Sequence, residues 1–172
     1  MATFHLDSID RILCDALQKN GRVHFNELAT VVGLSVPAVS ERVRKLEERG
    51  VIRGYQANLN PEAFDLDILA FIFVTVDSSA NYKSFIKKSK QHPEIMECHA
   101  TTGESSHLLK VRTRNTASLE KLLSDIQRWD GVRKTVTNLV LSTHMEALTL
   151  PTGAGEPDTG KAPRSKHRSV QS

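Results

Sequence analysis

The sequence predicts an α+β fold: an N-terminal winged helix-turn-helix followed by a ferredoxin-like βαββαβ domain. Two observations carry this. Residues 1–60 read as three short helices punctuated by glycines. Residues 67–150 then read twice in series as strand, helix, strand. Two such units joined by a hairpin make a βαββαβ sheet with both helices on one face.

The first helix is expected over about Asp7–Asn20. Leu6, Ile9, Ile12, Leu13, Ala16 and Leu17 supply its 3.6-residue stripe, with Asp7 or Ser8 as N-cap and Gly21 as the stop. A second helix is expected from Asn26, read as its N-cap, to Val32, burying Leu28, Ala29 and Val32. Gly33-Leu34-Ser35 is the tight turn. A third helix follows over about Val36–Arg49 and stops at Gly50, a glycine placed just past a helix end. Its apolar face is Val36, Val39, Val43 and Leu46. The partly β-branched run Val51–Ala57 reads as a small wing of strand.

In the second region the strand Leu69–Val76 places Ala70, Ile72, Val74 and Val76 on one face, and Phe71 and Phe73 on the other. The last strand is apolar on both sides too, through Val136 and Val140 and through Leu139 and Leu141. Helices cover only one face of such a sheet. Another copy of the chain is the natural cover for the second, the alternative being that the N-terminal region folds back over it. From Pro151 the chain is rich in Pro, Gly and Ser, with four basic residues (Lys161, Arg164, Lys166, Arg168) against Glu156 and Asp158. Such a segment is expected to be a disordered basic tail over 151–172. The expected organisation is therefore a DNA-binding domain and linker strand over 1–60, a βαββαβ domain over 61–150, and the tail.

Composition excludes other classes. The 172 residues are 39% apolar and 25% charged, with a net charge of +3. That is an ordinary globular composition with a mild basic excess that permits nucleic-acid binding. No apolar run approaches the roughly 18 residues needed to span a bilayer. The first residues carry no basic and apolar leader pattern, so a cytoplasmic protein is expected. Cys14 and Cys98 are the only cysteines and read as reduced thiols. The seven His are scattered, with no metal-ligand spacing, and no nucleophile elbow or phosphate loop occurs. Ser105 and Ser106 beside His107 offer poor geometry for catalysis, because neighbours on a strand point to opposite faces. No enzyme activity, metal or cofactor is expected.

Two constellations remain. The first is the third helix, whose exposed residues Ser35, Pro37, Ala38, Ser40 and Glu41 sit where a recognition helix reads base edges. Arg42, Arg44 and Lys45 supply positive charge for bases or phosphates. The plainer alternative is that these three pair with Glu41, Glu47 and Glu48 on a solvated helix. The second is the hairpin Gly103-Glu104-Ser105-Ser106. Glycine exposes N–H groups suited to a carboxylate, Glu104 suits an ammonium group, and Ser105 and Ser106 offer hydroxyls. His99, Thr101 and Thr102 lead into it, and Thr137 on the last strand is placed near it. The plainer alternative there is an ordinary polar hairpin.

These residues resemble the Lrp/AsnC, or feast/famine, family of prokaryotic transcriptional regulators. The resemblance rests on Leu6-Asp7-x-x-Asp10, Gly21-Arg22, Glu27-Leu28-Ala29, Gly33-Leu34-Ser35 and the run from Arg42 to Tyr55. In the second half it rests on Cys98-His99-x-x-Thr102-Gly103, Leu108 to Val111, Gly131-Val132 and Thr137. It covers about residues 5–146. It implies a winged helix joined to a RAM (AsnC-type) ligand-sensing and dimerisation domain. It also implies double-stranded DNA as partner, a homodimer assembling toward an octamer, and an amino acid or related metabolite as effector. Ser35 to Lys45 then becomes the recognition element and Gly103 to Ser106 the effector loop. Many members carry a carboxylate where Ser106 stands, so this chain offers one acceptor fewer to an ammonium group there. Two other readings stay open: a low-specificity architectural DNA-binding protein, and an enzyme similar to the sirohaem decarboxylases.

Overall fold

A computed structural model describes residues 5–154. They form two compact units, residues 5–57 with 146–154, and residues 58–145.

The first unit holds three helices. Helix α1 spans Ser8–Lys19, and the Asp7 carboxylate caps it by accepting from the Asp10 N–H at 2.7 Å. Helix α2 spans Phe25–Val32. Its N-cap is His24, not the expected Asn26, which lies inside the first turn. The chain enters the helix two residues earlier because the Glu27 and Leu28 N–H groups already bond to the His24 carbonyl. Gly33 then takes a left-handed φ of 67°, which a Cβ would resist. Helix α3 spans Val36–Glu48, with Ser35 as N-cap accepting from the Ala38 N–H and Pro37 in the first turn.

Leu13, Leu17, Leu28, Ala29, Val39, Val43 and Leu46 form one core cluster between these helices. Val36, expected on the apolar face, stays on the surface as the first residue of α3, one turn ahead of the buried Val39. After α3, Gly50 adopts φ 70° and the N–H groups of Val51 and Ile52 both return to the Leu46 carbonyl. Val51 and Ile52 therefore pack on the helical core. No strand forms in 51–57: Val51 and Ile52 bend, and the residues to Ala57 join no ladder, where a small wing of strand was expected.

The second unit is built on strands β1 (Ile68–Val76), β2 (Ile95–Ala100), β3 (His107–Thr113) and β4 (Val132–Leu139). Helix α4 (Ser79–Gln91) joins β1 to β2, and α5 (Thr116–Gln127) joins β3 to β4. The order is β2-β3-β1-β4 and every pair is antiparallel, the ferredoxin-like arrangement. Ala70, Ile72, Val74 and Val76 are buried, together with Leu109, Val111, Phe85, Leu119, Leu122 and Ile126. This is the helix-covered face.

The opposite face carries Phe71 and Phe73, half-buried, with Phe73 paired to Leu108 on β3 and Val136 on β4. An apolar row therefore crosses three strands with no helix over it. Gly131 makes the turn into β4 at φ 81°, its carbonyl accepting from the Asp77 N–H at 2.8 Å.

Pro151–Ala154 lie against α1 rather than free, so the expected tail does not begin at 151. The reason is polar: Arg11 donates to the Thr152 carbonyl, Asp15 accepts from the Thr152 hydroxyl, and Gln18 donates to the adjoining Leu150 carbonyl. The rest of the expected tail, 155–172, lies outside the described residues.

Candidate DNA interface and effector site

The apolar stripe of α3 is buried, so its other side must face solvent. Ser35, Pro37, Ser40, Glu41, Arg44 and Lys45 are exposed there and Ala38 is half-buried. The exposed charges are paired along the helix. Arg44 bonds bidentately to Glu41 (2.9 and 2.7 Å) and also to Glu48, while Lys45 reaches Glu41 at 3.3 Å. The Arg44 guanidinium, helped by Lys45, pulls the Glu41 carboxyl down to about 2. Surface pairs of this kind contribute little and are easily exchanged for a stronger anion.

Arg42 differs from the expectation that it faces DNA. It sits three residues after Val39 and four before Leu46, on the flank of the buried stripe. Its Nη1 donates to Asp7 Oδ2 and Asp10 Oδ1, both at 2.8 Å. Asp10 is nearly buried, and Arg42 is half-buried. Burial works against the charged form of Asp7, but the Asp10 N–H and Arg42 together hold that carboxyl below its usual range. Arg42 is thus a bolt between α3 and the start of α1. The Asp7-x-x-Asp10 spacing, one turn of helix, was the available signal for its partners.

Tyr55 completes this unit. Its ring carbon lies against Gly21, where a Cβ would sit 3.3 Å away, and its hydroxyl donates to Glu47 at 2.8 Å. Burial and Glu47 together push the phenol up to about 12.

The hairpin joins β2 to β3 through residues 101–106. The Thr101 N–H donates to the Ser106 carbonyl at 2.9 Å, and the Thr101 hydroxyl donates to the Ser105 carbonyl at 2.8 Å. Gly103 takes φ 107°, a conformation that a side chain would strain. Thr101, Thr102, Gly103 and Glu104 are exposed and Ser105 half-buried. His99 is exposed on β2, its Nε2 2.9 Å from Glu97. His99 and then Lys110 hold the Glu97 carboxyl below its usual range.

Ser106 is used internally. Its hydroxyl accepts from the Val76 N–H at 3.0 Å and lies 3.2 Å from the Val74 carbonyl and 2.9 Å from His107 Nδ1. The β1–β3 ladder ends at the Val74–His107 pair, so Ser106 satisfies the next amide of β1. Ser106 and His107 do touch, contrary to the opposite-face expectation, because Ser106 is still in the loop. The contact is structural. His107 is fully buried, its ring 4.8 Å from Tyr82 and 4.7 Å from Phe85, and burial pulls its pKa down.

Thr137 is not brought to this loop within one copy. It pairs with Ile72 on β4, and β1 separates β4 from β3. Thr75 is closer and was missed, its hydroxyl donating to the Glu104 carbonyl at 3.3 Å.

Known proteins share both halves. Residues 6–53 match the winged helix-turn-helix DNA-binding family and residues 69–150 the Lrp/AsnC ligand binding domain. The HTH-type transcriptional regulator FL11 of Pyrococcus furiosus is 38% identical over 146 residues, covering 85% of this chain and 96% of that protein. The leucine-responsive regulatory protein of Escherichia coli is 40% identical over 139 residues, covering 79% of this chain and 85% of that one. A transcriptional regulator of Neisseria meningitidis, solved as a complex with L-methionine, superposes with a TM-score of 0.81 at 30% identity. That match covers 86% of this chain and 97% of the other.

Proposed function

The chain belongs to the Lrp/AsnC family of transcriptional regulators, and from that premise we propose that it is a homodimeric, sequence-specific DNA-binding regulator set by a small effector. The observation that carries this is α3, capped by Ser35 and bolted by Arg42, with Ser35, Pro37, Ala38, Ser40, Glu41, Arg44 and Lys45 left to meet a duplex. In the major groove the first-turn residues read base edges, while Arg44 and Lys45 exchange their carboxylate partners for phosphates or base acceptors. Arg42 positions the helix and does not read the duplex.

The dimer is formed through the uncovered sheet face, where Phe71, Phe73, Leu108 and Val136 supply the apolar row. Two-fold symmetry then sets two recognition helices at half-sites on one DNA face. The octamer is the further assembly the family suggests, and the cytoplasm the compartment where its DNA is found. No helix among the described residues is long and apolar enough to cross a membrane.

The effector site is the hairpin, with His99, Thr101, Thr102, Gly103, Glu104 and Ser105 as the contacting set, and with Ser106 holding the loop to β1. Thr137 would join only from another copy. An amino acid or close relative suits the exposed backbone N–H groups and Glu104. A relative in this family was solved with L-methionine and another is named leucine-responsive, so these two are the first probes.

The architectural reading is less favoured. Glu41, Glu47 and Glu48 offset much of the positive charge on α3, which weakens sequence-blind phosphate attraction. The relatives found are transcriptional regulators, and the Ser106 hydroxyl beside His107 is spent on the β1 backbone, which counts against an enzyme.

Thermal unfolding with L-methionine or L-leucine, followed by retardation of the DNA upstream of its own gene, tests this reading. Stabilisation with changed DNA affinity is expected. No retardation of that DNA at moderate salt, with or without ligand, would refute it.

A further inference from the structure

The segment after β4 is docked on α1 by polar side chains. Residues 140–145 leave β4, and 146–154 belong with the helical unit. Gln18 holds the backbone of Leu150 at two points: its Nε2 donates to the Leu150 carbonyl at 2.8 Å, and its Oε1 accepts from the Leu150 N–H at 2.9 Å. Arg11 Nη1 donates to the Thr152 carbonyl at 2.8 Å, and the Thr152 hydroxyl donates to Asp15 at 3.4 Å. Thr152, Gly153 and Ala154 are half-buried as a result.

Arg11, Asp15 and Gln18 are spaced by four and three residues, so they make one stripe on α1 beside the buried Leu13 and Leu17. A side-chain amide satisfying both backbone groups of one residue fixes register as a neighbouring strand would. The leucines of this segment do not explain the docking, since Leu148 and Leu150 are both exposed. Its position matters because Arg11 neighbours Asp10, the residue that Arg42 of α3 grips.

We propose that residues 146–154 are a tether: docked on α1, they give the chain that runs on from β4 a second route to the recognition helix, besides the linker that follows it. The route runs from β4 through Leu150 and Thr152 to Gln18 and Arg11, and from Asp10 to Arg42. A change that pulls on β4 thereby reaches α3 through a contiguous set of bonds. The signalling role rests on the regulator reading above, whereas the docking does not.

Hydrogen exchange on the full chain, with and without a duplex from upstream of its own gene, tests the tether. The Leu150 amide is expected to exchange at least about tenfold more slowly than in an unstructured chain. Gln18→Ala and the size-matched Gln18→Met are each expected to abolish that protection while the Leu13 and Leu17 amides stay protected, which shows α1 still folded. Because coupling is reciprocal, bound duplex is expected to slow exchange across 146–154 in the unaltered chain and less in the variants. A Leu150 amide that exchanges at the free-chain rate, or keeps its protection in both variants, overturns the docking. Exchange across 146–154 that ignores bound duplex overturns the signal route. If the unaltered chain binds no duplex, the regulator reading fails and the signal route with it, while the Leu150 amide still decides the docking.

Discussion

Arg42 donates to Asp10 at 2.8 Å across 32 positions of sequence, joining the middle of α3 to the first turn of α1. Asp10 keeps only 12% of its side-chain surface exposed, and Arg42 33%. Arg42→Ala would strand the Asp10 carboxylate without this partner, so a loss of about 1–2 kcal/mol in stability is expected, discounted for the exposure of the arginine. Urea unfolding of the variant measures it. The Asp7 carboxyl, held below the usual value of 3.8, contributes with a definite sign. That contribution is full above 3.8 and is lost as pH falls below it through the folded-state value.

Gly131 and Asn81 leave no room for a methyl group. A Cβ on Gly131 would lie 2.5 Å from Asn81 Nδ2 and 2.8 Å from its Cβ, at a φ of 81°. Gly131→Ala is expected to cost about 2 kcal/mol or more, combining a left-handed backbone with a backbone-anchored clash. Adding Asn81→Ala should recover only part of this, since the φ strain remains. The denaturation midpoints of both variants check the order.

His107 makes stability depend on pH. Burial holds its folded pKa below 6.5, so the unfolded chain takes up the proton first as pH falls. Stability is therefore flat above that value and declines as pH drops beneath it, down to the folded-state pKa. His107→Phe, of similar volume between Tyr82 and Phe85, should flatten the slope in that window. It should also leave Ser106 without its ring partner. Urea midpoints from pH 7.5 to 5, as round values spanning the His range, give the comparison.

Phe73 sits at the centre of the uncovered sheet face, opposite both Leu108 and Val136. Phe73→Glu places a charge there and should shift the protein from dimer to monomer at micromolar concentration. Sedimentation velocity reads the change. A monomeric unaltered chain would remove the basis for two-helix recognition.

Much of this was legible because it depends on local chemistry. Ser35, Gly33 and Gly50 mark the ends of their helices by capping and positive φ, and the even positions of β1 declare the core face by period alone. The His24 cap was not legible, because a backbone carbonyl, not a side chain, opens that helix. The charge of Arg42 points outward, but its spacing from Val39 and Leu46 puts it on the flank of the buried stripe, where Asp7 and Asp10 hold it. Thr137 needed the strand order, which no local pattern encodes. The docking of 146–154 had no hydrophobic period to reveal it, since two side chains of α1 bind its backbone.

The central claim is that exposed α3 residues read DNA while Arg42 only holds the helix. Fluorescence anisotropy of the upstream duplex and of a scrambled duplex, for the unaltered chain and for Arg44→Ala/Lys45→Ala, measures it most directly. The upstream duplex should bind tighter than the scrambled one. The double variant should lose about tenfold or more in affinity, with a salt slope shallower by about two. Equal binding to both duplexes, or a double variant that binds with undiminished affinity and an unchanged salt slope, would contradict the account.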